Sequence, residues 1–163
     1  MIVKKVILTG SFGVGKTSLF NQFVFNKFDE KYLTTIGVKV NKKAIMVDDD
    51  EVSLLIWDIA GEVSQDKIPT SYFLGASAVI YVFDLTRPST FKNLTKDLEY
   101  LRTLIPGVVT KMVGNKKDLL SDEAIRAIAN EIPQKWDIIT SAKTGENVNE
   151  LFQLVGKELV QSV

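Results

Sequence analysis

From one end of this chain to the other, short β-branched runs alternate with longer segments of helical period, and that order leaves few folds open. VKKVILTG (3–10) is a strand running into glycine, and KTSLFNQFVF (16–25) puts Leu19, Phe20, Phe23 and Val24 on one helical face. VKVNKKAIMV (38–47) and VSLLIWD (52–58) form a hairpin around the acidic turn Asp48-Asp49-Asp50-Glu51. SAVIYVFDL (77–85) and TKMVGN (110–115) are apolar enough to be parallel strands buried on both faces. Ser89 is placed to cap a helix that Pro106-Gly107 ends, and Ser121 to cap the next. WDIITS (136–141) gives the last strand, and Asn147 with Glu150 resembles a capping box for the final helix. The expected fold is α/β in three layers: a six-stranded, mostly parallel sheet with one antiparallel edge strand and helices on both faces. In such sheets ligands sit beyond the carboxyl ends of the strands.

With 163 residues the chain has the size of one domain, expected to span 1–163. The formal net charge is zero, so bulk attraction draws it neither to nucleic acid nor to an acidic membrane, and partners must be read from sites. Cys is absent, which removes disulfide, thiolate and Cys-metal chemistry and is compatible with a reducing compartment. His is absent as well, so no imidazole base exists. Neither a signal peptide nor a stretch near the roughly 18 apolar residues of a spanning helix is visible, and the expected location is the cytoplasm.

GSFGVGKT (10–17) fits G-x-x-x-x-G-K-[ST], with a strand before it and a helix after it. Glycines let backbone wrap closely round phosphate oxygens with N–H groups inward, and the following helix directs its positive end at the anion. The expected nucleotide contacts are Ser11, Phe12, Gly13, Val14 and Gly15 in the loop and Lys16, Thr17 and Ser18 at the helix start. Lys16 would reach the β- and γ-phosphates, and the Thr17 hydroxyl would ligate Mg²⁺. A glycine-rich structural turn is the bland alternative, and the motif leaves the base undetermined.

NKKD (115–118) reads the base. A carboxylate at Asp118 accepts from both the ring N–H and the exocyclic amine of guanine, whereas adenine offers no such pair, and an unpaired carboxylate lets such a site reject the wrong base by roughly 10⁴-fold. Asn115 would tie this loop to the phosphate loop, and the Lys116 stem would cover one face of the base. Ser141, Ala142 and Lys143 follow the last strand, with the Ala142 N–H offered to the guanine oxygen. Alone, NKKD also fits a lysine-rich surface turn in which Asp118 caps a helix.

GSFGVGKT, TIGV (35–38), WDIAG (57–61), NKKD and SAK (141–143), in this order and spacing, resemble the five motifs of the Ras-superfamily small GTPases across essentially the whole chain. TIGV, Trp57 and YVFDLTRPSTF (81–91) are most similar to the Rab branch. The resemblance implies a P-loop G domain that binds GTP or GDP with Mg²⁺ and hydrolyses GTP. It implies that Thr35 binds Mg²⁺ and senses the γ-phosphate, that Asp58 holds the metal through water, and that the Gly61 N–H touches the γ-phosphate. Phe28 would pack edge-on against guanine and Tyr32 would close over the phosphates. Segments 29–38 and 60–74 would order with γ-phosphate present, relax without it, and meet effector, exchange and activating proteins.

Three departures bear on function. Where the family pattern has Gln, this chain has Glu62, which can polarise an attacking water but, ionised, cannot donate toward the phosphoryl group and adds negative charge. A loop carboxylate turned to solvent is the alternative. Phe12 stands where the family commonly has a small residue, because an activator's arginine passes there; the ring would either obstruct that arginine or fold over the nucleotide and exclude water. The chain's three arginines, Arg87, Arg102 and Arg126, lie outside both segments, so an arginine in cis is not expected. Gln65 is a poorly placed substitute for the missing amide. The sign of the Glu62 effect stays open, and the working expectation is slow turnover with poor response to an arginine-finger activator. Finally, the sequence ends at LVQSV without a prenylation cysteine, and Met1-Ile2 does not fit N-myristoylation, so no lipid anchor is expected in it. A slow switch, a GTP-binding scaffold without hydrolysis, and a phosphate-loop kinase remain as readings; NKKD and SAK argue against the last.

Overall fold

The structure, a computed structural model, describes residues 2–29, 37–61 and 65–161. In chain order the elements are β1 (Ile2–Thr9), α1 (Lys16–Phe25), β2 (Val38–Val47), β3 (Asp50–Ile59), β4 (Ala76–Asp84), α2 (Leu94–Leu104), β5 (Val109–Asn115), α3 (Asp122–Glu131), β6 (Ile138–Ile139) and α4 (Val148–Gln161). They build one sheet in the order β2-β3-β1-β4-β5-β6. The β2–β3 pair is antiparallel and every other pair is parallel, which is the arrangement the alternation of strand and helix demands.

Alternation along the central strands divides the core in two. Val6 and Leu8 of β1 with Ile80 and Val82 of β4 face α1 and α4, where Leu19, Phe23, Phe152 and Val155 cover them. Ile7, Val79, Tyr81 and Phe83 point to the other face, against Leu94, Leu98 and Leu101 of α2. Because both faces are covered, β4 is buried along its last seven residues, which explains its nearly unbroken apolar run. The Phe23 and Phe152 rings stack with centroids 3.8 Å apart and lock α1 to α4.

Four local expectations are corrected. The hairpin turn is only Asp48-Asp49, with Asp48 at φ 54°, and Asp50 and Glu51 already belong to β3, pairing with Val47 and Met46. Ser89 caps nothing: it lies in a 3-10 turn, Pro88–Thr90, and α2 starts only at Leu94. That turn is closed by the Thr90 hydroxyl, which accepts from the Asp84 N–H at 2.9 Å and donates to the Arg87 carbonyl at 2.7 Å. Asn147 sits at φ 63° and spends its amide on the Ile139 carbonyl at 2.9 Å, so no capping box forms with Glu150. The last strand shrinks from six residues to two. Ser121 does cap α3, accepting from the Ala124 N–H at 3.2 Å.

Candidate functional site

At their carboxyl ends β1, β4 and β5 deliver Thr9, Asp84 and Asn115 to one edge of the sheet, with Asp84 and Asn115 in direct register. The loop 10–15 begins there. Gly10 has φ 143°, and a Cβ on it would lie 2.1 Å from the Val82 carbonyl oxygen, so only glycine lets the chain leave β1 against β4. Gly15 has φ 100°, and a Cβ there would meet the Asn115 amide nitrogen at 2.2 Å.

Lys16 opens α1 and folds back over the loop, donating to the carbonyls of Gly10 at 3.0 Å and Ser11 at 2.9 Å. Burial pulls its pKa down to about 8, against the opposing pull of the Asp58 carboxylate. A buried ammonium whose partners are neutral carbonyls is electrostatically under-compensated, which suits it to an anionic ligand. Thr17 donates its hydroxyl to Asp58 Oδ2 at 2.7 Å, bringing a hydroxyl and a carboxylate oxygen together beside that ammonium. Hard oxygen donors of this kind with a single protein carboxylate fit Mg²⁺, which completes its shell with water and substrate phosphates.

The loop 115–118 is fastened to the loop 10–15 from the other side. Asn115 donates to the Val14 carbonyl at 3.0 Å, and its oxygen accepts from the Thr140 hydroxyl at 3.0 Å and the Ala142 N–H at 3.2 Å. The Ala142 N–H, expected to face a guanine oxygen, is thus directed at Asn115. Lys116, at φ 69°, donates to the Gly13 carbonyl at 3.0 Å. Asp118 is exposed, and the buried Ser141 hydroxyl orients it with a bond of 2.8 Å to Oδ1, leaving Oδ2 for another donor pair to share.

One cleft runs between these loops. Phe12, Gly13, Gly15, Lys16, Thr17, Ser18 and Gly61 line one end, and Phe28, Asn115, Lys116, Asp118, Ala142 and Lys143 the other. Ser11, Val14, Asp58 and Ser141 stand behind it and act through the bonds given above. Tyr32, Thr35 and Glu62 lie outside the described residues. Gly61 rests on the loop so closely that a Cβ would fall 2.5 Å from Phe12 Cα. Phe12 itself is 53% exposed at the mouth of the cleft. Gln65, weighed as a substitute amide, is turned into the core onto the Thr9 hydroxyl and has no place in the lining.

A model of the Ras family matches residues 5–161. The chain belongs to the Ras family. As a Ras-family protein it is a guanine-nucleotide-binding switch of the GTPase class, and the family binds GTP or GDP together with Mg²⁺. Among the described residues, no helix is long and apolar enough to cross a membrane.

Three contributors were not found by sequence reasoning. Asp84 is fully buried and pairs with Lys116 at 3.0 Å and with Arg87 at 3.9 Å. A carboxylate ending an apolar run was the available signal, since burial there demands a cation. Arg87 also donates to the Phe12 carbonyl at 3.1 Å. Only the fold brings it there, from the turn after β4. Gln22 of α1 donates to the Ala142 carbonyl at 2.7 Å, adding a tie between the helix and the segment 141–143.

Proposed function

We propose that this Ras-family protein is a slow GTP-hydrolysing switch, most similar to the Rab branch, in which 1–163 forms a single G domain acting in the cytoplasm. The observation that carries this reading is the double fastening of one cleft. Asn115 and Lys116 grip the carbonyls of Val14 and Gly13, so a phosphate-binding turn and a guanine-selecting loop are held at a fixed separation.

In this reading loop 11–15 and Lys16 hold the phosphates, Asp118 takes the guanine N–H pair, Ala142 offers its N–H by sharing it with Asn115, and Phe28 and the Lys116 stem flank the base. Ser18, Ser141 and Lys143 complete the nucleotide contacts, and Tyr32 covers the phosphates. Thr17, Thr35 and Asp58 hold Mg²⁺, which when bound supplies positive charge to the phosphate oxygens during transfer. Lys16 adds a cation to the same oxygens, and the Gly61 N–H donates to the γ-phosphate. Residues 29–38 and 60–74 offer the surface for effector, exchange and activating proteins.

Hydrolysis is slow because Glu62 lacks a donor for the transferring group and Phe12 crowds the path of an external arginine. The inward turn of Gln65 favours a second reading as well, a GTP-loaded scaffold without measurable turnover, because it removes the nearest other amide. Single-turnover hydrolysis on the wild type, Glu62→Gln and Phe12→Gly separates the two. A slow wild type that Glu62→Gln accelerates by about tenfold, worth some 1.4 kcal/mol of barrier, supports the switch. A fast wild type that both changes slow contradicts it.

A further inference from the structure

Between β1, β4, α2 and the 3-10 turn that starts at Gln65, four polar side chains from four elements meet inside an apolar core. They are Thr9 at the end of β1, Gln65 in the 3-10 turn Gln65–Lys67, Tyr81 of β4 and Asp97 of α2, exposed by 0%, 1%, 1% and 3%. The Tyr81 hydroxyl donates to Asp97 Oδ2 at 2.7 Å, and the Gln65 backbone N–H reaches Asp97 Oδ1 at 3.5 Å. Gln65 bonds the Thr9 hydroxyl through its side-chain oxygen, while its Nε2 is buried and finds no hydrogen-bond partner among the described residues.

Packing alone does not call for this quartet. Ile7, Phe73, Val79, Leu94 and Leu98 fill the same core, and each polar group placed among them costs desolvation that only a well-aimed bond offsets. What such bonds add is direction: an apolar contact tolerates sliding, whereas a carboxylate between a phenol and a backbone N–H fixes the residue that carries the N–H. Gly61 is seated on Phe12, and Thr9 adjoins Gly10, where the phosphate loop begins.

We propose that Asp97 is a positioning residue which, with Tyr81, pins Gln65 to the root of the phosphate loop, so that the chain carrying Glu62 is anchored on both sides. Burial pushes the Asp97 carboxyl up from its ordinary range, opposed by the bonds from Tyr81 and Gln65, as expected of an anion kept in the core for its bonds. Any change in segment 60–74 between nucleotide states then has to keep Gln65 in place or open the quartet. This inference rests on the proposed hydrolytic role of that segment.

The test uses the full chain with Tyr81→Phe, Gln65→Met, their double variant and Asp97→Asn. Tyr81→Phe deletes one oxygen and leaves the ring in its packing, so the fold survives. Amide exchange at Gln65 and Ile68 should quicken by about tenfold in each variant, the effect of losing one buried hydrogen bond, while β1 and β5 amides hold. GDP affinity should stay within about twofold, because none of the four side chains lines the cleft, whereas single-turnover GTP hydrolysis should fall by about fivefold or more. The double variant should be no worse than the worse single one, since all act through one network. Exchange that quickens without slower hydrolysis reduces the quartet to packing and overturns the proposal, as do unchanged exchange or a wild type with no hydrolysis to support. A wild type that fails to bind GDP refutes the functional reading instead, and the exchange measurement still decides whether Gln65 is pinned.

Discussion

Lys16 carries the most informative charge in the cleft. Its pKa is lowered to about 8 by burial, and phosphates beside it would raise that value, so binding favours the protonated form. Affinity is therefore full below pH 8 and falls as pH rises through 8, by at most about tenfold per pH unit, until the bound-state pKa is reached. GDP titrations from pH 6.5 to 9.5 check this, with Lys16→Ala expected to be weak and to lose that slope. Asp84 is a second such residue. Asp84→Asn removes the anion that steadies Lys116 and Arg87, but both cations are partly solvated, which limits the loss. The expected cost is about 1–1.5 kcal/mol in GDP binding, roughly tenfold, read by calorimetry on the purified variant. Affinity unchanged by Asp84→Asn would mean that the carboxylate serves the fold and not the cleft.

Among the elements, α1 and α4 are joined by the Phe23–Phe152 stack, and both rings are almost fully buried. Phe152→Ala should cost about 3–5 kcal/mol, seen as a fall of roughly 10 °C or more in Tm. Because α1 begins at Lys16, GDP affinity should fall with it. The strands and helices themselves were legible because their periods differ: β4 is an unbroken apolar run and α1 repeats at helical spacing. Ends were harder to read. Ser89 and Asn147 have the chemistry of caps, but the Thr90 hydroxyl and the Ile139 carbonyl engage these loops first, and which of several nearby polar groups wins is set by the path of the backbone and not by residue type. WDIITS yields a two-residue strand because, just ahead of it, the Met112 N–H is taken by the Asp137 side chain, and strand pairing with β5 starts only at Ile138. In the candidate site, the structure brings the motif glycines, Lys16 and Asp118 to one cleft, and these were legible because their types and spacing are the ones a phosphate- and guanine-binding site calls for. Asp84, Arg87, Gln22 and the Tyr81–Asp97 pair were not, since each acts through a partner at least one element away.

At the scale of the whole molecule, the sheet works as a frame that brings two loops about a hundred residues apart in sequence to the ends of one cleft. Three bonds fix their separation: Asn115 to Val14, Lys116 to Gly13, and Gln22 to Ala142. On the proposed reading, their common consequence is that phosphate binding and base selection are coupled. A ligand must fit both ends, and adenine leaves the Asp118 carboxylate without its donor pair. Competition of labelled GTP with unlabelled ATP, in the presence of Mg²⁺, tests this most directly. The account predicts that the protein takes up GTP and that ATP displaces it only at concentrations about 10⁴-fold higher or more. Displacement by ATP at concentrations similar to those of GTP, or no uptake of GTP at all, would contradict it.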